Sequence, residues 1–427
     1  MSKFQIILLS VFGIFIVAAV LLFSLSRGSD QTNAKIVVWG SIPTYDFDNF
    51  LNTSGITENK TISIDYVEKS KDSFDTQLTE ALAVGGGPDL VILPVSKIWK
   101  NRNKLILIPK ESVSPQVFTQ TFIEEGELLM TDAGAYALPI LVDPLVLYWN
   151  RDIFSGEALV APPVYWDEIY SYAERFLKKD NAGNIQQSAI ALGETKNIPN
   201  AKSILSLLLL QAGTDITGFV GGELRSVLGQ GFNLPLVPSH AALDFYTQFS
   251  NPAKPFYSWN QSLLSAQTTF TSGDSAMYLG FASELPLIKA KSPTLNLGIS
   301  KVLQSRVSGK TITFGDMYAV AIVRNTRNPQ ASLAGAFSLI SKENALELSK
   351  IMGLAPARRD LLAEKPTDES LSVFYDAAIQ SRGWVDPDDR RSSEIFIDMI
   401  EAVTSGRART QEAVNKANDE LEALINQ

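Results

Sequence analysis

The sequence predicts an α/β protein built on an open, mainly parallel β-sheet. Short apolar runs alternate with amphipathic segments near the start of the chain, which is the order of a strand–helix–strand unit. Of the 427 residues, 45% are apolar and 19% are charged, so the chain can build a sizeable core. Beyond a first apolar segment about 400 residues remain, a length that favours two domains.

The alternation of strands and helices is clearest near the N-terminal end. "KIVVWG" (35–40) is rich in β-branched residues, and "TISIDYVEK" (61–69) alternates apolar and polar positions as a half-buried strand does. "DSFDTQLTEALAVGGG" (72–87) places its apolar residues on one helical face and ends in glycines, and "PDLVILP" (88–94) is typical of a buried strand. This order predicts parallel strands with helices on both faces of the sheet.

An uncharged apolar segment, "FQIILLSVFGIFIVAAVLLFSL" (4–25), follows the first three residues. At 1.5 Å per residue it would span about 33 Å, enough to cross the roughly 30 Å hydrocarbon core of a bilayer. We expect residues 1–27 to be a transmembrane anchor or, alternatively, a signal peptide cleaved near Ser26, and residues 28–34 to be a linker. The flanking charges favour a cytoplasmic N-terminus, with the rest of the chain outside the cell.

The composition excludes several classes of function. A formal net charge of −9 argues against nucleic-acid binding, because phosphate backbones require basic surfaces. The chain has no cysteine and its single histidine is His240, so thiolate chemistry and multi-histidine metal sites are excluded. The glycine run at 85–87 is interpreted as a helix end, because no Gly-Lys-Ser/Thr follows it. The charged stretch "DPDDRR" (386–391) is interpreted as a solvated loop that leads into a helix. We expect neither a metal ion nor another cofactor.

The stretch "YALPILVDPLVLYWNRDIF" (136–154) is unusual. Asp143 and Pro144 stand between two strand-like apolar runs, although a buried strand normally avoids both residues at its centre. A single ordinary strand does not explain this pattern.

Several stretches, in their order along residues 35–427, resemble the extracellular solute-binding proteins of family 1, the maltose-binding-protein type. That family supplies the substrate-binding components of ABC importers. The matching stretches are "KIVVWG", "GGGPDLVIL", "YALPILVDPLVLYWNRDIF", "APPVYWDEIYSYAERFLKKDNAGN", "FTSGDSAMYLGFASELPLI", "APARRDLL" and "SGRARTQEAVNKANDELEALI". Each stretch alone is a weak signal, and their common order makes the resemblance specific.

The resemblance implies a two-lobed periplasmic-binding-protein type II-like fold with three hinge crossings. Asp143 and Pro144 would lie at the first crossing, outside any strand, with the Asp143 carboxylate exposed at the floor of the cleft. The second crossing would lie near Leu279–Ala282 and the third near Ala319–Arg324. Lobe 1 would comprise residues 35–142 and 283–320, and lobe 2 residues 143–282 and 321–427.

The function implied by the resemblance is capture of a small solute by hinge closure and its delivery to the permease subunits of an ABC transporter. The solute is expected to be a carbohydrate or a similar polar molecule. We expect a monomer that is not an enzyme, tethered to the cell membrane by residues 4–25, with its binding domain extracellular or periplasmic. Two alternatives stay open: a ligand-sensing ectodomain of the same fold, and a carbohydrate-processing enzyme that uses Asp143 and Glu284 as paired carboxylates.

Sugars present apolar CH faces and hydroxyl edges, so a sugar site needs aromatic planes and side chains that donate and accept hydrogen bonds. Loops at the predicted strand ends and crossings supply such side chains. The predicted ligand-binding residues are Trp39, Ser41, Tyr45, Ser96, Lys97, Asp143, Glu194, Asn197, Trp259, Phe281, Ser283, Glu284 and Trp384. Trp149 and Trp166 lie in strand-like and helix-like contexts and are expected to pack in the core.

Overall fold

The computed structural model describes residues 34–56, 62–231, 237–306 and 309–427. The strands are β1 (Ala34–Gly40), β2 (Ile62–Glu68), β3 (Leu90–Pro94), β4 (Ile108–Pro109), β5 (Met130–Thr131), β6 (Gly134–Ala135), β7 (Leu138–Asn150), β8 (Lys178–Lys179), β9 (Ile185–Ile190), β10 (Thr217–Val220), β11 (Glu223–Ser226), β12 (Ser275–Phe281), β13 (Leu297–Lys301), β14 (Thr313–Ile322), β15 (Ala355–Pro356) and β16 (Ser381–Arg382).

The α-helices are α1 (Thr44–Thr53), α2 (Phe74–Ala83), α3 (Val95–Asn101), α4 (Pro115–Thr121), α5 (Arg151–Gly156), α6 (Ile169–Phe176), α7 (Ala201–Gln211), α8 (Pro238–Thr247), α9 (Ala266–Thr271), α10 (Leu285–Lys291), α11 (Pro329–Leu339), α12 (Lys342–Met352), α13 (Arg359–Leu362), α14 (Glu369–Ile379), α15 (Asp389–Thr404) and α16 (Thr410–Ile425). Single 3₁₀ turns lie at Arg102–Lys104, Glu124–Leu129, Trp166–Glu168, Gln248–Ser250 and Ala282–Glu284.

One long central sheet organises the molecule, with the strand order β2-β1-β3-β14-β7-β12-β9-β8. β1 pairs in parallel with β2 and with β3, which confirms the parallel arrangement predicted for the first strands. The helix between β2 and β3 ends at Ala83, and Gly85 follows with a φ of 75°, so the glycine run ends a helix as predicted.

β7 is a single buried strand of 13 residues, and it contains Asp143 and Pro144. Its first part pairs with β14, and its second part pairs with β12 and β13. The prediction that Asp143 and Pro144 lie outside a strand was therefore wrong. Pro144 faces Gly315 of β14 at the place where β7 changes partners, so its missing N–H falls at a junction between two ladders.

We call lobe 1 the part of the molecule packed around β1, β2 and β3, and lobe 2 the part packed around β9, β12 and β13. Helices α11 and α12 contact α1, β1 and β2, so they belong to lobe 1. Helices α15 and α16 pack on α7 and α8, and so belong to lobe 2. Helix α14 lies against β7, β13 and β14, where the two lobes meet.

The strand pairings disagree with the predicted second and third crossings, Leu279–Ala282 and Ala319–Arg324. β13 pairs with the second part of β7, so the chain stays in lobe 2 after residue 283. The chain enters lobe 1 along β14, which pairs with β3, and remains there through α12. It returns to lobe 2 after β16. Residues 283–301 thus belong to lobe 2 and residues 321–352 to lobe 1, the reverse of the prediction.

No helix among the described residues is long and apolar enough to cross a bilayer. Residues 1–33 lie outside the described residues. They contain the predicted anchor, the predicted cleavage position near Ser26 and all of the predicted linker except Ala34, which begins β1.

Candidate functional site

A cavity with a volume of about 140 Å³ lies between the lobes, beside the place where β7 and β14 change partners. Lobe 1 contributes the start of α3 to its wall, and lobe 2 contributes the starts of α7 and α15. Ser96, Phe281 and Trp384, which are among the predicted ligand-binding residues, line the cavity, and their role in binding stays a prediction. The other polar and aromatic side chains of the wall were not predicted, and they are those of Glu125, Lys202, Ser203, Phe314, Asp316, Asp386 and Asp389.

Two aspartates face each other across the central strands beside this cavity. Asp143 of β7 is directly opposite Asp316 of β14 in the antiparallel register, so their side chains lie on the same face of the sheet. Asp143 is only 5% exposed, and its Oδ1 accepts a hydrogen bond of 2.9 Å from the backbone N–H of Ser283. Burial raises the pKa of Asp143 to about 6. The prediction of an exposed, solvated Asp143 was wrong, because Asp143 lies inside a strand that is buried along its whole length.

Asp316 is half-buried at the cavity wall. Burial raises the pKa of its carboxyl group to about 8. The negative charges of Asp143, Asp389 and Glu125 act in the same direction, and the ammonium group of Lys71 opposes them. This direction is expected for a carboxylate that loses hydration and has more negative than positive charge nearby.

Glu125 is the most deeply buried acid of the cavity, at 2% exposure. The hydroxyl group of Ser381 donates a hydrogen bond to its Oε2, while its Oε1 has no partner among the described residues. Burial raises the pKa of Glu125 to about 7, although the Ser381 hydrogen bond and the charge of Arg382 partly oppose the shift. A Cβ atom at Gly383 would stand 3.1 Å from Oε1, so glycine leaves room beside the carboxylate.

The one ammonium group in the cavity wall is already engaged. Nζ of Lys202 lies 2.7 Å from Oδ2 of Asp386 and 2.8 Å from Oδ1 of Asp389, and it donates to the hydroxyl group of Ser392 at 2.8 Å. Asp386 is only 3% exposed. The interpretation of "DPDDRR" as a solvated loop was therefore wrong for its first residue, which is paired with a lysine far away in the sequence.

Aromatic rings form the apolar part of the wall. Phe281 and Phe314 meet edge to face, with their ring centroids 6.4 Å apart. Trp384 is 5% exposed, stacks on Phe396 and donates from its indole N–H to the hydroxyl group of Ser206 at 3.3 Å. The cavity thus joins a carboxylate-rich side to an aromatic side.

Comparison with known proteins decides the family. The family model described as bacterial extracellular solute-binding protein matches residues 56–372. The chain belongs to this family. The resemblance to solute-binding proteins stated from the sequence motifs is thereby confirmed.

Curated relatives of this solute-binding protein include a binding protein of Brucella abortus (strain 2308) and one of Brucella suis biovar 1 (strain 1330). Each is 21% identical over 311 residues, which is 71% of this chain and 70% of the relative.

Solved structures with the same fold include a cyclo/maltodextrin-binding protein complexed with maltotetraose. It is 17% identical, with a TM-score of 0.75, over 93% of this chain and 99% of that chain. The cyclic alpha-maltosyl-1,6-maltose binding protein from Arthrobacter globiformis is 15% identical, with a TM-score of 0.76, over 92% of this chain and 99% of that chain. These likenesses confirm the α/β periplasmic-binding-protein fold.

Two predicted ligand residues of this solute-binding protein, Trp259 and Asn197, have their polar groups engaged within the protein. The ring of Trp259 is fully buried, and its N–H donates to Oδ1 of Asn197 at 3.0 Å. The amide nitrogen of Asn197 donates in turn to the backbone carbonyls of Asn260 and Leu263. Together these hydrogen bonds fix the loop before α9, and neither side chain lines the cavity.

Two predicted glutamates also have protein partners. Glu284 accepts hydrogen bonds from the hydroxyl group of Tyr278 at 2.6 Å and from the amide of Asn200 at 2.8 Å. It also accepts from the backbone N–H of Phe281 at 2.8 Å and from the amide of Gln267 at 2.7 Å. Glu194 accepts a hydrogen bond of 2.8 Å from Gln261, and burial raises its pKa. The side chain of Ser283 is exposed, and its backbone N–H donates a hydrogen bond to Asp143.

The remaining predicted residues lie in lobe 1, outside the cavity wall. The ammonium group of Lys69 stands 4.1 Å from the ring centroid of half-buried Trp39. Tyr45 is 82% exposed, and Lys97 pairs with Asp75 at 3.6 Å. Ser41 is half-buried at the end of β1. A ligand role for these four predicted residues stays a prediction.

The missed residues carry little signal in the sequence. Glu125 and Lys202 look like ordinary surface charges at the starts of helices, since their partners Ser381 and Asp386 are distant in the chain. The sequence did contain an indication of the role of Asp316. A carboxylate in the strand-like apolar run "DMYAVAIV" is unusual, because buried strands rarely contain charged residues. Trp149 and Trp166 are buried, as predicted.

Proposed function

We propose that this protein captures a carbohydrate or a similar polar solute between its lobes and delivers it to the permease of an ABC transporter. Residues 4–25 tether it to the membrane, with the binding domain extracellular or periplasmic. Solved relatives of the same fold support the solute class: their structures contain maltotetraose, maltotriose, alpha-D-tagatose and mannotriose.

The observation that carries the proposal is the cavity between the lobes. Its wall is made by residues of both lobes and by the two strands that pass between them. Separation of the lobes would pull the two walls of the cavity apart, so a solute that contacts both walls favours the closed arrangement. The permease then distinguishes the solute-bound protein by its closed arrangement of lobes.

The paired carboxylates considered for an enzyme do not favour that alternative. Asp143 accepts the backbone hydrogen bond of Ser283, and Glu284 accepts hydrogen bonds from Tyr278 and Asn200. Both acids therefore stabilise the protein's own backbone and side chains. Binding without turnover is the function that these contacts support.

A thermal-shift screen of the full chain in detergent tests the proposal. The panel contains mono- and oligosaccharides, polyols, polyamines, peptides and phosphorylated solutes. A solute at 100 times its Kd should add about 2.7 kcal/mol to the free energy of unfolding. Stabilisation by a sugar that is recovered unchanged supports the proposal, and stabilisation by peptides or phosphorylated solutes alone contradicts the sugar class.

A further inference from the structure

We infer that the solute carries a protonated amine, as in an amino sugar, and that this ammonium group lies between Glu125 and Asp316. The inference rests on the proposed capture of a sugar-like solute in the cavity between the lobes. It adds the charge of the solute to that proposal.

The charges of the cavity wall are unbalanced. The wall contains four carboxylates and one ammonium group, that of Lys202. Asp386 and Asp389 share this ammonium group, which leaves Glu125 and Asp316 without an ion-pair partner in the described parts of the chain. Arg382, whose positive charge acts on Glu125, lies outside the cavity wall and is itself paired with Glu124.

The two carboxylate oxygens of Glu125 differ in their hydrogen bonding. Its Oε2 accepts the hydrogen bond of Ser381, whereas its Oε1 is buried and lacks a donor among the described residues. A buried acceptor without a donor costs free energy, and most such atoms in proteins have a partner. A donor brought by the solute would satisfy Oε1.

Asp316 supplies a second carboxylate acceptor in the same cavity wall. It faces Asp143 in the strand register, and no described side chain donates a hydrogen bond to it. Lys71 is the cation that acts on it, and Nζ of Lys71 donates to the hydroxyl group of Tyr318 at 3.0 Å. A cationic donor between Glu125 and Asp316 would therefore meet acceptors of both carboxylates.

An ammonium group fits this environment better than a neutral hydroxyl group does. A hydroxyl group would supply one hydrogen bond but no charge, so it could not stabilise the ionised forms of Glu125 and Asp316, which burial disfavours. An ammonium group supplies three donors and one positive charge. A metal ion would need three or more converging ligands, and the described residues contain no such group.

The rest of the cavity suits a compact ring. The rings of Phe281 and Phe314 offer an apolar surface for the CH face of a sugar. The volume of about 140 Å³ is below the roughly 300–1,000 Å³ of pockets that hold drug-sized ligands. One sugar ring with one amino group matches both the size and the charge.

Isothermal titration calorimetry of the full chain in detergent tests the inference with four probes: glucosamine, N-acetylglucosamine, glucose and spermidine. The first three share a ring and differ in the group at one carbon, so they isolate the charge. Glucosamine should bind about tenfold or more tightly than either neutral sugar, which is the change expected from about 1.4 kcal/mol.

Two variants locate the ammonium group. Glu125→Gln keeps the shape of the side chain and removes its charge, so it should weaken glucosamine binding about tenfold and leave glucose binding unchanged. The matched control is Glu127→Gln, which removes the same charge from an exposed position two residues along the same 3₁₀ turn. The control should bind all four probes as the unchanged protein does.

Proton release on binding provides a second test of the ammonium site, and it needs no variant whose folding could be impaired. Because burial raises the pKa of Glu125 to about 7 and that of Asp316 to about 8, both are partly protonated at pH 7. A bound ammonium group would favour their charged forms and expel protons. The apparent binding enthalpy of glucosamine should therefore differ between phosphate and Tris buffers.

The outcomes separate this inference from the proposed function. A neutral sugar that binds as tightly as glucosamine overturns the inference and keeps sugar capture. Spermidine binding without sugar binding supports the ammonium site and contradicts the sugar class. Equal glucosamine affinity in the Glu125→Gln variant, or no binding of any probe, overturns the inference.

Discussion

At the scale of single residues, burial decides which aromatic side chains are free to meet a solute. Trp259 was predicted to bind the ligand because its stretch of sequence looks like a loop. Its ring is fully buried, and its hydrogen bond to Asn197 links it to the backbone of the same loop. Phe281 is half-buried and lines the cavity, so it has the exposure that a binding residue requires.

We expect Trp259→Ala to lower the free energy of unfolding by about 3–5 kcal/mol, because it removes a fully buried aromatic side chain. Urea denaturation followed by circular dichroism measures the change. Tyr45→Ala is the control, since that ring is 82% exposed and its loss should cost less than about 0.5 kcal/mol. Equal midpoints for Trp259→Ala and the unchanged protein would show that the ring is not a core residue.

At the scale of elements, helix α3 connects the two lobes through neighbouring side chains. The ring of Trp99 meets Phe219 of β10 edge to face, with centroids 5.8 Å apart. Nζ of Lys100 lies 3.0 Å from the carboxylate of Asp388, the N-cap residue of α15. These contacts join lobe 1 to lobe 2 on the outer side of the cavity.

The double variant Trp99→Ala, Lys100→Gln should favour an open arrangement. An aromatic pair contributes about 0.5–1.5 kcal/mol and a partly exposed ion pair up to about 1 kcal/mol. Together these losses change the ratio of closed to open molecules by roughly tenfold. Small-angle X-ray scattering of the ligand-free protein should show a larger radius of gyration. Lys104→Gln is the control, because Lys104 contacts Thr79 and Asn101 within lobe 1. An unchanged radius in the double variant would contradict a bridging role for α3.

At the scale of the whole molecule, the cavity acids give the fold an unusual dependence on pH. The folded-state pKa values of Glu125, Asp143 and Asp316 are about 7, 6 and 8, above the values of about 4 in an unfolded chain. Between about pH 4 and about pH 8 the folded protein therefore binds more protons than the unfolded chain does. Its free energy of unfolding falls as the pH rises through this range. Asp75 and Asp388 have lowered pKa values, and their contribution changes only at more acidic pH.

We expect the ligand-free protein to lose several kcal/mol of unfolding free energy between pH 5 and pH 8, because all three carboxyl groups release their protons at higher pH in the folded state than in the unfolded state. Denaturant titrations at a series of pH values measure this loss. Glu125→Gln should reduce it, whereas the exposed control Glu127→Gln should not. A stability that is constant or rises over this range would contradict the uncompensated burial of these carboxyl groups.

The sequence predicts well those features that depend on residues close together in the chain or on the order of motifs along it. The parallel arrangement of β1, β2 and β3 followed from apolar periodicity, because each strand and its crossover helix are adjacent in the chain. The order of weak motifs predicted the family over most of the chain. Both kinds of signal depend on nearby residues or on their sequence order.

Long-range partners explain what the sequence did not predict. β14 joins lobe 1 although it follows β13 of lobe 2 in the chain, and apolar periodicity does not specify which neighbour a strand will choose. The cavity depends on the same kind of pairing, since Glu125 meets Ser381 and Lys202 meets Asp386. Burial of these charges follows from contacts that no local pattern contains.

The sharing of β7 and β14 between the lobes also constrains the order in which the protein can fold. β3 has β14 as its partner on one side, so the sheet of lobe 1 is incomplete until residues 313–322 have been synthesised. Pairing over such sequence distances makes folding slow, because long loops must close first. A nascent chain of this kind emerges from the ribosome with its central strands unpaired.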